Sequence, residues 1–444
     1  MGARWFRWEG SPRPLSGSPG SDIHLTVERG RSETGWPRLP ERLPIARNTV
    51  TLAVVQALYS AVLQLGAAVL SLSFVLVTGF RALLGAGPAI FLAASALAAL
   101  PAGRAMDRFG RVPVIAVGFV FGAVGYTFAA AGTHWQSGVA LVAGFVFAGV
   151  AGAVTLLIRT AAGDMYPPAR RARGISYVLF GSVFGAVLGP ALFGPLFAGK
   201  DVAADTLTVP WLAAAGLSLV TCALVLTVRP DTKVIAERIS AGAATPHGTE
   251  AAPLREIIRR PGVIPAMLAA IASFGVMVSV MNLTGFVVVD HHNHSQQSVF
   301  LIIGAHVLGM YALVLVIGTL IDRIGRGPAL AGGLFLMAAS CAGLIWAESV
   351  PFTALLLFGL GVGWNFSFVA ATAQLADATN PAERGKLLGL NDLLAGLTGA
   401  SLALLGGVAL DVLGVTALAV GATAIAIAPA IFLARLRPVP QAAG

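Results

Sequence analysis

The amino-acid sequence predicts an all-α integral membrane protein, twelve membrane-crossing helices arranged as two bundles of six. Three observations carry this expectation. The 444 residues are 57% hydrophobic and only 11% charged, against roughly 25% charged in a soluble chain, so lipid is the main solvent. Apolar runs of about 20 residues recur, each long enough as a helix to cross a hydrocarbon core of roughly 30 Å. Backbone in lipid must pair its own polar groups, which leaves helix as the local structure. Finally, a charged octapeptide occurs twice, as "MDRFGRVP" from Met106 and as "IDRIGRGP" from Ile321.

The elements follow in order. Residues 1–48 are rich in Gly, Pro, Ser and Arg and lack the apolar core of a signal peptide; they are expected to form a disordered cytoplasmic tail. Six spans near 50–79, 84–104, 112–131, 138–158, 174–198 and 208–228 make an N-terminal bundle over 49–228. A charged stretch at 229–261, broken by Pro230, Pro246, Pro253 and Pro261, is expected to be a cytoplasmic central loop. Spans near 262–289, 298–320, 328–347, 350–371, 386–409 and 414–435 make a C-terminal bundle over 262–436, and 437–444 form a second tail.

Charge sets the orientation. With the N-terminus inside, all of the 29 Lys and Arg except Arg81 and Lys200 fall in the tails and the inner loops. Cytoplasmic loops are enriched in these residues, so both termini are expected in the cytoplasm of a plasma (inner) membrane. The basic residues are scattered among short loops, so the net charge of +9 is no footprint of a nucleic acid. Cys222 and Cys341 lie in separate spans and offer neither a disulfide framework nor a metal spacing. No cofactor is expected. The partners expected are the lipid bilayer, a small-molecule substrate and protons, and the chain is expected to be a monomer.

The octapeptides belong to a longer repeat. Gly103, Asp107, Arg108, Gly110, Arg111 and Pro113 recur at an offset of 215 as Gly318, Asp322, Arg323, Gly325, Arg326 and Pro328. Two spans later, Asp164, Pro168, Ala169, Arg171 and Arg173 recur at an offset of 213 as Asp377, Pro381, Ala382, Arg384 and Lys386. Two charged loops returning in order imply a duplicated six-helix unit in parallel orientation, a transporter architecture with its site between the halves. The pattern G-x-x-x-D-R-x-G-R after the second and eighth spans resembles the signature of the major facilitator superfamily, over about residues 50–436. The family often continues with a further basic residue; Val112 and Gly327 stand there instead.

Arginine at these loops has a topological use, but a paired acid at fixed spacing does not. The resemblance implies a gate on the cytoplasmic side, with Arg159 joining the loop residues above. Basic residues suit the end of a helix, Gly110 permits a tight turn, and Pro113 suits a first helical turn.

Polar groups deep in a span are functional candidates by default. Gln56, Tyr59, Ser60 and Gln64 share one face of the first span, facing either a neighbouring helix or a cavity. Trp364 and Asn365 follow the Gly-rich "GLGVG", which equally suits close helix packing. His306 and Asp392 have Phe91 and Leu179 as counterparts in the first half, so the shared fold does not demand them. With Asp290 they are the candidates for proton coupling, and His306 is a substrate candidate as well. The alternatives are a neutral core histidine and an interfacial acid. In the fifth span Gly181, Gly185, Gly189, Pro190 and Gly194 suit close packing and a kink. They also resemble the glycine-proline motif of proton-coupled antiporters, with Gly194 one position late and Pro195 in place of the final glycine. "DHHNH" (Asp290, His291, His292, Asn293, His294) has metal-ligating side chains, but a solvated loop explains it and no metal is assigned.

The leading expectation is a transporter working by alternating access, exporting a small amphiphilic or drug-like compound against protons. The absence of a carboxylate in the first span weighs against the drug-export form. A metabolite symporter or metal-ion efflux carrier is the alternative. An intramembrane enzyme is remote, because no nucleophile–base pair accompanies His306; so is a non-transporting sensor.

Overall fold

The computed structural model describes residues 44–167, 170–201, 203–241, 252–379 and 381–435. The expected tails therefore lie almost wholly outside the described residues. Helix α1 (Ile45–Thr78) begins ahead of the expected position 50. Its first turn is polar and docked: Arg47 Nη2 donates to the Arg229 carbonyl (2.7 Å) and Thr49 hydrogen-bonds the Tyr166 hydroxyl (2.8 Å). α1 stops at Gly79, whose φ of 73° suits glycine and whose N–H returns to Val75 O.

The first half continues with α2 (Ala86–Phe109), α3 (Arg111–His134), α4 (Gly138–Leu156) and the short α5 (Ile158–Asp164). Ser137 caps α4 by accepting the Ala140 N–H at 3.3 Å. The fifth span is α6 (Arg171–Leu179) continued by α7 (Gly181–Phe197), and the sixth is α8 (Thr208–Val225). The expected central loop contains two short helices, α9 (Thr232–Ala241) and α10 (Leu254–Ile258). Each places an isoleucine in the core, Ile235 and Ile257, while charged neighbours stay in water; the loop is amphipathic, and that is why it folds.

The second half comprises α11 (Val263–Phe286), a π turn (Val287–His291), α12 (Gln296–Tyr311), α13 (Val314–Ile324), α14 (Arg326–Gly343), α15 (Val350–Asp377) and α16 (Pro381–Arg435). Among the described residues ten helices are long and apolar enough to span a membrane, and the pair α12–α13, bent by 44°, adds another. α16 breaks at Gly414 (φ 82°). A Cβ on Gly406 would lie 3.1 Å from Leu418, whereas a straight helix would hold those residues roughly 18 Å apart, so the chain folds back and α16 supplies two spans. The twelve-helix, two-bundle architecture expected from sequence is therefore the fold. Helices α1–α8 pack among themselves, as do α11–α16, and the halves meet along α2–α16, α7–α12 and α1–α11. The loops carrying the repeat all lie at one end, called here the motif face, and the opposite end is the far face.

Candidate functional site

The first copy of the repeat builds a network around Arg111. Its Nη1 donates to Asp107 at 2.7 Å, one helical turn away, and its Nε donates to Asp164 at 2.8 Å. Arg111 and Asp164 are largely buried, whereas Asp107 is 74% exposed. Gly110 makes the turn between α2 and α3 with φ 97°. Sequence reasoning missed the residue beneath this turn. Asp231, just past the sixth span, accepts the N–H groups of Arg111 (3.1 Å) and Val112 (2.9 Å). It caps α3 from a segment 120 positions away, and only its place after the apolar run, in "RPDTK", hinted at a capping acid.

The second copy repeats the turn and one of the ion pairs. Gly325 turns with φ 89°, and Arg326 Nε reaches Asp377 at 3.4 Å, the counterpart of Arg111 and Asp164. Nearby, Glu383 is buried and takes a two-pronged bond from Arg260 (2.7 and 2.9 Å), which holds the guanidinium above its ordinary pKa. Glu383 was another residue not singled out by sequence. The side chains of Arg171, Asp322 and Arg384 lie outside the described residues. Arg108 stacks on Phe109 at 5.1 Å, and a Cβ on Gly103 or Gly318 would meet nothing within 4 Å.

Among the described residues two ion pairs cross between the halves, one at each face. At the motif face Arg159 Nη2 donates to Asp392 at 2.7 Å, both side chains about one-third exposed. At the far face Arg81 pairs with Asp290, and its guanidinium lies over the Phe286 ring. The structure thus gives both Asp392 and Asp290 a partner in the opposite half. Ser71 Oγ donating to Asn282 O (3.1 Å) and Gln296 Nε2 donating to Ala68 O (3.1 Å) also cross the halves.

The other candidates are distributed. Gln56 donates to Ser182 Oγ (3.0 Å) and Gln64 to Gly185 O (2.6 Å), so most of the polar stripe of α1 faces α7. Cβ atoms on Gly181, Gly185 and Gly189 would strike Ala53, Ser60 and Gln64 of α1, which makes the glycine row a packing seam. A Cβ on Gly194 would instead lie 3.7 Å from Gln297 of the second half, and Pro190 packs near Gly304 there. His306 is fully buried and donates Nδ1–H to Leu357 O of α15 at 2.8 Å, while its Nε2 has no partner. It therefore faces its own half. Asn365 donates to Met310 O at 2.6 Å, satisfying a carbonyl just before the bend between α12 and α13.

Of the histidines after α11, His292 and His294 lie edge-on at 6.3 Å, but each has other neighbours. His294 bonds Glu348 O (2.8 Å), His291 packs against Phe286, and His292 leaves Nδ1 unpaired. Burial, reinforced by His294 and His291, lowers the His292 pKa from 6.5, against an opposing pull from Glu348. Among the described residues no group of three or more His, Cys, Asp or Glu is arranged to hold a metal.

Between the ion pairs each half carries its own aromatic group. Tyr59 of α1 packs edge-on against Phe119, and a Cβ on Gly152 would lie between Phe91, Ser95 and the Tyr59 hydroxyl. In the second half Tyr311 lies edge-on to Trp364, which stacks on Phe368 at 4.9 Å. Trp364 Nε1 is buried without an acceptor.

Two six-helix halves carrying the same loop motifs, bridged by an ion pair at each face, are the architecture of a membrane transporter. The pattern describing the Major Facilitator Superfamily matches residues 46–306 and 287–444, and the chain belongs to that superfamily. It is 34% identical over 357 residues to the riboflavin transporter RfnT of Brucella anthropi, covering 78% of this chain and 85% of that one. It is 32% identical over 361 residues to the uncharacterized MFS-type transporter YdeG of Bacillus subtilis (strain 168), covering 80% and 84%. The fold is similar to the xylose transporter XylE from E. coli, with a TM-score of 0.65 at 15% identity, covering 89% of this chain and all of that one.

Proposed function

We propose that this chain is a secondary active carrier that moves a small, amphiphilic, drug-like compound out of the cell by alternating access in exchange for protons. The observation that carries the reading is the pair of inter-half ion bridges, Arg159–Asp392 and Arg81–Asp290, one at each face. A carrier exposing its crevice to one side at a time must break one closure while keeping the other. The motif face is the cytoplasmic one, and the Arg111 networks set the turn on which that side closes. Asp392 is the best placed proton acceptor: protonation removes the charge that holds Arg159 across the halves. His306 lies inside the second half and is a weaker candidate for this step, and Asp290 has the equivalent position at the far face.

A second reading is supported by the relative named a riboflavin transporter and by the aromatic side chains that each half carries at mid-span. Tyr59, Tyr311, Trp364 and Phe368 suit a flat aromatic ring system, since stacking adds about 0.5–1.5 kcal/mol beyond burial. On this reading the cargo is a metabolite with such a ring. Inverted vesicles with an imposed pH gradient decide between the two. Proton-driven accumulation of hydrophobic cations, lost in Asp392→Asn, supports export. Movement of riboflavin alone supports the metabolite reading, and no movement of either class in protein-containing vesicles counts against both.

A further inference from the structure

Asp231 does more than terminate a loop. Its two carboxylate oxygens receive the first N–H groups of α3, Oδ1 from Arg111 and Oδ2 from Val112, and Oδ1 also takes the Lys233 N–H at 2.8 Å. A helix start carries partial positive charge, so an anion there is favoured. Lys233, two residues on, sends Nζ to the Asp107 carbonyl at the end of α2, where a cation is favoured. The segment after the sixth span therefore grips both sides of the Gly110 turn. The carboxylate also occupies the space beside that glycine, since a Cβ there would lie 2.8 Å from Asp231 Oδ2. Buried Thr232 and Ile235 fix the segment against the first half.

We infer that Asp231 is a positioning residue of the gate: by capping α3 it fixes the backbone of Arg111 and so aims the guanidinium at Asp107 and Asp164. Lys233 completes the clasp from the α2 side. The inference rests on the reading that the Arg111 network gates the motif face. It adds that the central linker, beyond joining two halves, is part of the first half's gating turn.

Spin labels on Arg173→Cys and Lys386→Cys, in full-length protein lacking Cys222 and Cys341 and reconstituted in liposomes, report the separation of the halves at the motif face without any substrate. Asp231→Ala is expected to shift the ratio of the two separations by up to about fivefold, since only the part of a roughly 1 kcal/mol cap that differs between the two arrangements counts. Asp107→Asn should shift it in the same direction. The double variant should shift it no further than the larger single one, because both act through Arg111. Lys233→Met, which leaves the cap in place, should give a smaller shift of the same sign and guards against misfolding of Asp231→Ala. If Asp107→Asn shifts the ratio and neither Asp231→Ala nor Lys233→Met does, the positioning role is wrong while the gate stands. If Asp107→Asn leaves the ratio unchanged, the gating reading fails and this inference with it. Additive shifts would likewise overturn it, since independent action means that Asp231 does not work through Arg111.

Discussion

Asp392 and Arg159 hold one another with a single bond, at a site where water still reaches about a third of each side chain. Such pairs are worth about 0–1 kcal/mol after screening. Removing this one should therefore leave folding nearly intact yet change the balance between two arrangements of the halves by up to about fivefold. Asp392→Asn is expected to keep its thermal midpoint and lose most coupled transport. The exchanged pair Arg159→Asp with Asp392→Arg should recover transport, and failure to recover would remove the pair from the mechanism. His292 makes a pH prediction. Burial favours its neutral form, so its folded pKa lies below the ordinary 6.5. Its contribution to stability is complete above 6.5 and is lost as pH falls below it toward the lowered value. The melting midpoint should drop on acidification across that window, and His292→Gln should flatten part of the drop. His294 and His291 add to the lowering and Glu348 opposes it, so changes at these positions should move the curve as well.

At the scale of elements, the glycine row of α7 has an energetic meaning that can be checked. A methyl group at Gly185 would press on Ser60 and the Ala57 carbonyl of α1, whereas Gly216 of α8 has nothing within 4 Å. Gly185→Ala should cost about 1–3 kcal/mol through overpacking and lower the midpoint in detergent, while Gly216→Ala should leave it unchanged. Equal behaviour of the two would show that the seam is not tight. Spans, their order and the turns at Gly110 and Gly325 were legible in the sequence because hydropathy, period and turn chemistry are local. The duplication was legible because two loops shared almost one offset. Asp231, Glu383 and the pairing of Arg159 with Asp392 were not. Their partners lie more than 100 positions away, and no periodicity relates a residue to a neighbour in another helix. His306 stood out in the sequence for its depth, but depth alone does not say which way a ring turns. Folding chose the Leu357 carbonyl.

For the whole molecule, the two faces should act in opposition. Joining Arg81→Cys to Asp290→Cys with a short, reducible thiol-reactive linker that spans the length of the ion pair, in protein lacking Cys222 and Cys341, should arrest transport, and reduction should restore it. Continued transport while joined would mean that the far face need not open. α16 gives this opposition a mechanical form. Its first span starts beside the motif face, carries Asp392, runs along α2 and reaches Gly414 at the other side of the membrane, where it reverses without a loop. A stiff rod with no slack at its end acts as a lever: rotation at Asp392 is delivered some 30 Å away to Val412 and Leu413, which are 67% and 68% exposed. A fluorophore on either of those residues is thus a remote gauge of the Asp392 bond, read from the opposite side of the bilayer.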